Sequence, residues 1–194
     1  MGRVIPDKSP KANAFGPSSF CRKIHTMRTS TITSVIVGAL LLTGCAGHSH
    51  YSGLQTREIK SLSDADIAGY RAGQGMSMAL PAELNGYPGP LHVLELAEKL
   101  ALSAEQRQAT QQLYERMKSA AVSAGESLIA AERALDRMFA SRNATEPALA
   151  EHLAKVSQAQ ARLRGVHLQA HLEQVRILKP EQVSQYNKLR GYGG

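Results

Sequence analysis

The sequence predicts an all-α fold: a long antiparallel helical hairpin with short flanking helices, paired into a dimer. Three observations lead there. Residues 103–141 contain no proline and one glycine, with Leu113, Met117, Ala120, Ala124, Leu128, Ala131, Leu135 and Met138 spaced three or four apart. That spacing makes a long amphipathic helix, on the order of 55 Å at 1.5 Å per residue. A second segment, running to about residue 177, carries Leu149, Leu153, Val156, Leu163, Val166, Ala170 and Ile177 on one side. Finally, Val, Ile and Thr are sparse, and no alternating apolar run is long enough for a strand.

Ahead of these helices lies a leader. Residues 29–44 (TSTITSVIVGALLLTG) are short and largely apolar, with Arg28 and a start at Met27 just upstream. A basic residue, an apolar core and a small-residue cleavage site make a secretory signal peptide over residues 27–44. A spanning helix would need about 20 apolar residues. Leu42-Thr43-Gly44-Cys45 resembles the bacterial lipobox, which implies cleavage before Cys45 and lipidation of that cysteine. Ala46, in place of aspartate, then implies the outer membrane, with the protein facing the periplasm. Residues 1–26 hold Pro6, Pro10 and Pro17 without amphipathic pattern and read as a misannotated N-terminal extension.

The remaining elements follow in order. Residues 45–61 read as a flexible, lipid-anchored tether and residues 62–192 as one helical domain. Ser63, with Asp66 three residues on, caps a short helix ending at Gly73 or Gly75. Residues 76–89, with Pro81 and Pro88, read as a loop that packs on something. Pro90 suits the first turn of a helix over 91–100. After the first long helix, Asn143-Ala144-Thr145-Glu146-Pro147 breaks the chain, with Thr145 as cap and Pro147 in the next first turn. So short a connection makes the two long helices antiparallel neighbours, and their alanine-rich seam lets the backbones approach closely. A last helix runs from residue 180 to about 190. Each long helix has an apolar stripe but one partner, so the short helices or a second chain must cover the rest.

Charge points away from nucleic acid. The whole chain carries +7, but residues 1–44 hold six Lys/Arg against Asp7. Of 23 basic and 16 acidic residues, 17 and 15 remain in the mature chain, a net +2. A nucleic-acid surface needs a dense basic face. Cys21 falls in the leader and Cys45 takes the lipid, leaving no disulfide.

Two stretches read nearly alike: Leu102-Ser103-Ala104-Glu105-Gln106 and Leu178-Lys179-Pro180-Glu181-Gln182. Ser103 and Gln106 form a capping box, in which each side chain satisfies the other's backbone amide. In the second copy Lys179 is a poor cap, but Pro180 is well placed at the first helical position. Leu102 and Leu178 staple each helix start onto the core. Both stretches are therefore helix beginnings, complete without a ligand. As a pair on long helices in an exported chain, they resemble the L-T-x-x-Q family of Gram-negative envelope proteins. That family includes the Spy and CpxP periplasmic chaperones and the periplasmic heavy-metal sensor and resistance proteins. The family threonine is Ser103 in one copy and Lys179 in the other. The resemblance, over roughly residues 91–192, implies an all-α bent hairpin, a homodimer and no enzymatic activity.

Candidate site residues are few. His167 and His171 stand at i and i+4, so their imidazoles share a helix face about 6 Å apart. A hairpin turning near Ala144 sets His171 opposite Met117 and His167 opposite Ala121. Glu115, Met117 and Glu173 are the further donors within reach of a Zn, Ni, Co or Cu ion. The resemblance implies His, Glu and Met ligands from facing helices, with no position carried over. The alternative is a pair of seam histidines, each hydrogen-bonded to a neighbour. His48 and His50 lie in the tether, and His92 and His152 are single, with core or surface roles as the default. Arginines along both long helices, interleaved with acids such as Asp136 beside Arg133, read as a solvated, salt-bridge-laced face. No catalytic motif is present. The expected function is an envelope metal-stress sensor or resistance protein. The alternatives are an ATP-independent chaperone for unfolded clients and a regulatory partner of a membrane stress sensor.

Overall fold

The computed structural model describes residues 51–192, which form six α-helices, one 3₁₀ turn and no strand. The leader, Cys45, His48 and His50 lie outside these residues. Among the described residues no helix is long and apolar enough to cross a membrane.

The expected tether is shorter than residue 61. A 3₁₀ turn at Leu54–Thr56 leads into a segment lying along the long helices, where Ile59 is fully buried with Leu62, Ile67 and Ile129. Polar neighbours fix the same segment: Arg133 pairs with Glu58 at 2.8 Å and Lys60 with Asp136 at 3.1 Å. Arg133 and Asp136 thus reach across to this segment instead of to each other. Exposed pairs like these contribute at most about 1 kcal/mol each, so the burial of Ile59 is what holds the segment down.

Helix α1 (Asp64–Arg71) starts at Ser63, whose hydroxyl accepts from the Asp66 amide while the Asp66 carboxylate accepts from the Ser63 amide. The stretch expected to be a loop contains a four-residue helix, α2 (Leu80–Glu83), nucleated by Pro81 in its first turn. Helix α3 (Pro90–Glu95) is shorter than expected. Turns replace its second half, and they put Ala97 and Leu100 into the core. Tertiary burial has outweighed local helix propensity there.

Helices α4 (Ala104–Ala140) and α5 (Glu146–Ile177) make the antiparallel hairpin, joined through Arg142 in the left-handed conformation and Thr145 as cap. Its register is fixed by Gln174 donating to Thr110 at 3.1 Å and by Arg116 meeting Glu173 at 3.6 Å. Ala121, Ala124 and Leu128 pack on Val156, Ala159 and Leu163, so small side chains do line the seam. Gly125 serves a close approach from the other side. A Cβ there would lie 2.7 Å from the backbone oxygen of Tyr70, so α1 sits on bare α4 backbone. Helix α6 (Pro180–Arg190) closes the base of the hairpin, where Tyr186, Val93, Leu100 and Leu178 form a third cluster.

The twin stretches meet at this base. Gln106 Nε2 donates to Gln182 Oε1 at 2.8 Å, and Gln182 Nε2 returns a bond to Gln106 Oε1 at 3.1 Å. Each oxygen also accepts its own cap amide, Ser103 or Lys179. Each NH₂ also donates to a carbonyl ahead of the other helix, Ile177 for Gln106 and Leu100 for Gln182. Two helix starts are thereby clasped by one reciprocal amide pair, with Leu102 and Leu178 packed beneath it.

Candidate functional site

Above the clasp, the chain between α1 and α3 lies over the hairpin and leaves an open-mouthed cavity of about 640 Å³. Its floor comes from Tyr114, Met117 and Lys118 of α4 and from His167 and His171 of α5. Its walls come from residues 72–77, from Ala79, Leu80, Glu83 and His92, and from Arg190 and Tyr192 at the C-terminal end. This volume falls in the range of small-ligand clefts.

Glu83 organises one wall. It is 5 % exposed and accepts from the Gly89 amide at 3.1 Å, from the Tyr186 hydroxyl through a short bond, and from Tyr192 at 3.3 Å. His92 Nδ1 lies 3.1 Å from the same carboxylate. Burial alone would raise the Glu83 pKa. Hydrogen bonds from His92 and Tyr186, with the charges of His92 and His171, hold it down at about 2. The carboxylate is therefore ionised at neutral pH. Burial and the same contact push the Tyr186 phenol up, keeping it a donor.

The hydrogen bonds also set the histidine tautomers. His171 Nδ1 lies 2.7 Å from the Tyr87 carbonyl, and a carbonyl only accepts, so Nδ1 carries the hydrogen. Whenever that ring is neutral its lone pair is therefore on Nε2, the usual arrangement of a metal-ligating histidine. By the same reasoning His92, bonded through Nδ1 to a carboxylate, presents Nε2. His167 differs from both. It is 3 % exposed and its Nε2 has no hydrogen-bond partner, although buried polar atoms are almost always paired. Burial first, and the charge of His171 second, lower its pKa, so the ring is neutral.

Of the residues singled out in the sequence, the structure brings together His167, His171 and Met117 as lining of one cavity. Glu115 and Glu173 do not join them. Glu115 is exposed and accepts from Gln111, one turn before it on α4, while Glu173 is exposed and engaged by Arg116. The seam alternative describes His171, which has a neighbour to bond, but it does not describe His167. Sequence reasoning passed over Glu83, Tyr186 and the connection of His92 to the pair. The one available signal was the proline-flanked 81–90 segment, which marks a loop built to pack. His152 lies elsewhere on α5, with its own Nδ1 buried and unpartnered.

The cavity lining offers a ligand imidazole and thioether lone pairs, together with the amide of Gln74 and the hydroxyls of Ser77, Tyr114 and Tyr192. Among the described residues no three His, Cys, Asp or Glu side chains gather closely enough to hold an ion by themselves. An ion would therefore draw on His167, His171 and methionine together, a donor set whose chemistry suits transition metals. No family model, curated protein or solved structure matches this chain.

Proposed function

We propose that this is a periplasm-facing lipoprotein, anchored at Cys45, whose helical domain takes up a transition-metal ion in the histidine-lined cavity and serves in metal sensing or metal-stress resistance. The observation that carries the reading is the buried, unpartnered Nε2 of His167 beside His171, whose tautomer is pinned by Tyr87. A buried polar atom without a partner costs about 1–3 kcal/mol, a cost that a ligand would offset. Calorimetric titration of the purified protein with Zn²⁺, Ni²⁺, Co²⁺ and copper tests it. Binding tighter than micromolar that is lost on combining His167→Ala with His171→Ala is expected. No binding, or binding indifferent to both changes, would remove the metal reading.

A chaperone reading is favoured by a different observation. Leu80, Leu84, Tyr87 and Leu91 are large apolar side chains left exposed on and around α2 and α3. It predicts that equimolar protein suppresses aggregation of a denatured client without added metal. Absence of suppression would dismiss it. Both readings are compatible with a homodimer, supported by Phe139 and Leu153, which remain about half exposed near the hairpin turn. Sedimentation equilibrium checks the dimer.

A further inference from the structure

We propose that the open-mouthed cavity binds a small amphipathic monocarboxylate, its carboxylate at Lys118 and its apolar body against Met76, Leu80, Leu91 and Met117. A protonated lysine and two leucines give an ion no lone pair, so this goes beyond the metal reading and stands without it.

The lining gives the first argument. Leu80 and Leu91 line the cavity and are large apolar side chains left exposed, and Met76 and Met117 line it half-buried. A hydrocarbon body covering these four side chains would release water from apolar surface. Small-ligand clefts have this composition, chiefly apolar with a few polar groups that fix the ligand's orientation.

Charge gives the second. Glu83 is the only acidic side chain in the lining, and its oxygens already accept from Gly89, Tyr186 and Tyr192. Arg190 stands 3.8 Å from that carboxylate and donates from Nε to the Tyr192 hydroxyl, so its charge is balanced within the wall. Lys118 is not balanced. Among the described residues its ammonium makes no ion pair and stands over the Tyr114 ring, 5.9 Å from the centroid. One carboxylate would neutralise it, and protonation of His92 or His171 would only add positive charge. A cationic ligand is disfavoured twice. Lys118 repels it, and the Tyr114 and Tyr192 faces that could hold it already carry Lys118 and Arg190.

The third argument is a wall built beside Lys118. Gly73, Met76 and Ser77 all have left-handed backbone, with φ of 65°, 42° and 62°. A Cβ on Gly73 would lie 3.0 Å from the Lys118 carbonyl oxygen, so this wall seats directly on α4 backbone at that lysine. Such conformations persist where surrounding contacts over-determine them, and they cluster at ligand clamps.

The test is calorimetric titration of the full-length protein, in buffer containing EDTA, with decanoate, decanol and decyltrimethylammonium. These share one chain and differ in the head; 2-naphthoate offers the same head on a ring. Methionine ε-methyl NMR signals locate the ligand. Lys118→Gln, an exposed position, is titrated alongside with a thermal melt to confirm folding. One carboxylate per chain should bind about fivefold or more tighter than decanol, with the Met76 and Met117 methyl signals shifted. Lys118→Gln should abolish that advantage and leave decanol unchanged. The tighter of decanoate and 2-naphthoate then identifies the body as chain or ring. If decanol or decyltrimethylammonium binds as well as either carboxylate, or Lys118→Gln leaves carboxylate affinity unchanged, the carboxylate assignment is overturned. If neither carboxylate binds, or one binds without moving either methyl signal, the cavity is overturned as the site. Because EDTA withholds metal, each of these failures is separate from failure of the metal reading.

Discussion

At the scale of single residues, the molecule invests most heavily in Glu83. An ionised carboxylate this deeply buried is stable only because each oxygen is met by donors, and the Tyr186 hydroxyl is the closest of them. Tyr186→Phe keeps the ring in the core and removes that donor alone. Urea denaturation should show a loss of about 1–3 kcal/mol. Tyr192→Phe, whose bond is longer and half-buried, should cost less. Ser63 makes a smaller, pH-dependent contribution. Its hydroxyl and backbone amide hold the Asp66 pKa below the ordinary carboxylate value. Asp66 therefore adds stability that is full above that ordinary value and is lost as pH falls through the lowered one. Ser63→Ala should cost about 1 kcal/mol at neutral pH. Thermal melts in an acid series should show the gap to the parent protein narrowing as Asp66 protonates, with the residual cap bond to the Asp66 amide persisting.

Helices α4 and α6 show how far a sequence motif can be read at the scale of elements. Capping by Ser103 and Gln106, the proline at the start of α6 and the leucine staples were all legible, because each obeys a rule spanning four or five residues. The reciprocal bonding of Gln106 and Gln182 was not. It joins residues 76 positions apart, and nothing local encodes which side chains will meet. The same limit explains His92 and Glu83, which reach the histidine pair only through the folding of α2 and α3 over the hairpin. His167 and His171 were legible because i, i+4 spacing on one helix is itself local. The clasp predicts strong coupling: Gln106→Ala and Gln182→Ala should each destabilise, and the double variant should lose less than their sum. A double-mutant cycle by chemical denaturation should return a coupling energy of roughly 0.5–3 kcal/mol. Strict additivity would mean that each glutamine serves only its own cap.

For the whole molecule, the hairpin architecture followed from periodicity and one short turn, and helix bounds agree with expectation along α1, α4, α5 and α6. Where the fold departs, at residues 57–62 and 80–100, burial has decided. Ile59, Ala97 and Leu100 are pulled into the core by contacts that periodicity does not contain. Part of the second departure, Leu80, Glu83 and residues 89–92, lines the cavity. A plain hairpin would leave His167 at a partly wetted seam. The overlying α1–α3 segment instead encloses it beside His171, methionines and a carboxylate already spoken for. The proposed metal role rests on these two imidazoles. Long-range ¹H–¹⁵N spectra of the histidine rings, recorded before and after metal addition, test it most directly. A neutral His167 ring, a hydrogen on His171 Nδ1 and a large Nε2 shift at His167 on adding a stoichiometric ion are the expected results. Unchanged His167 and His171 signals in the presence of bound metal would contradict it.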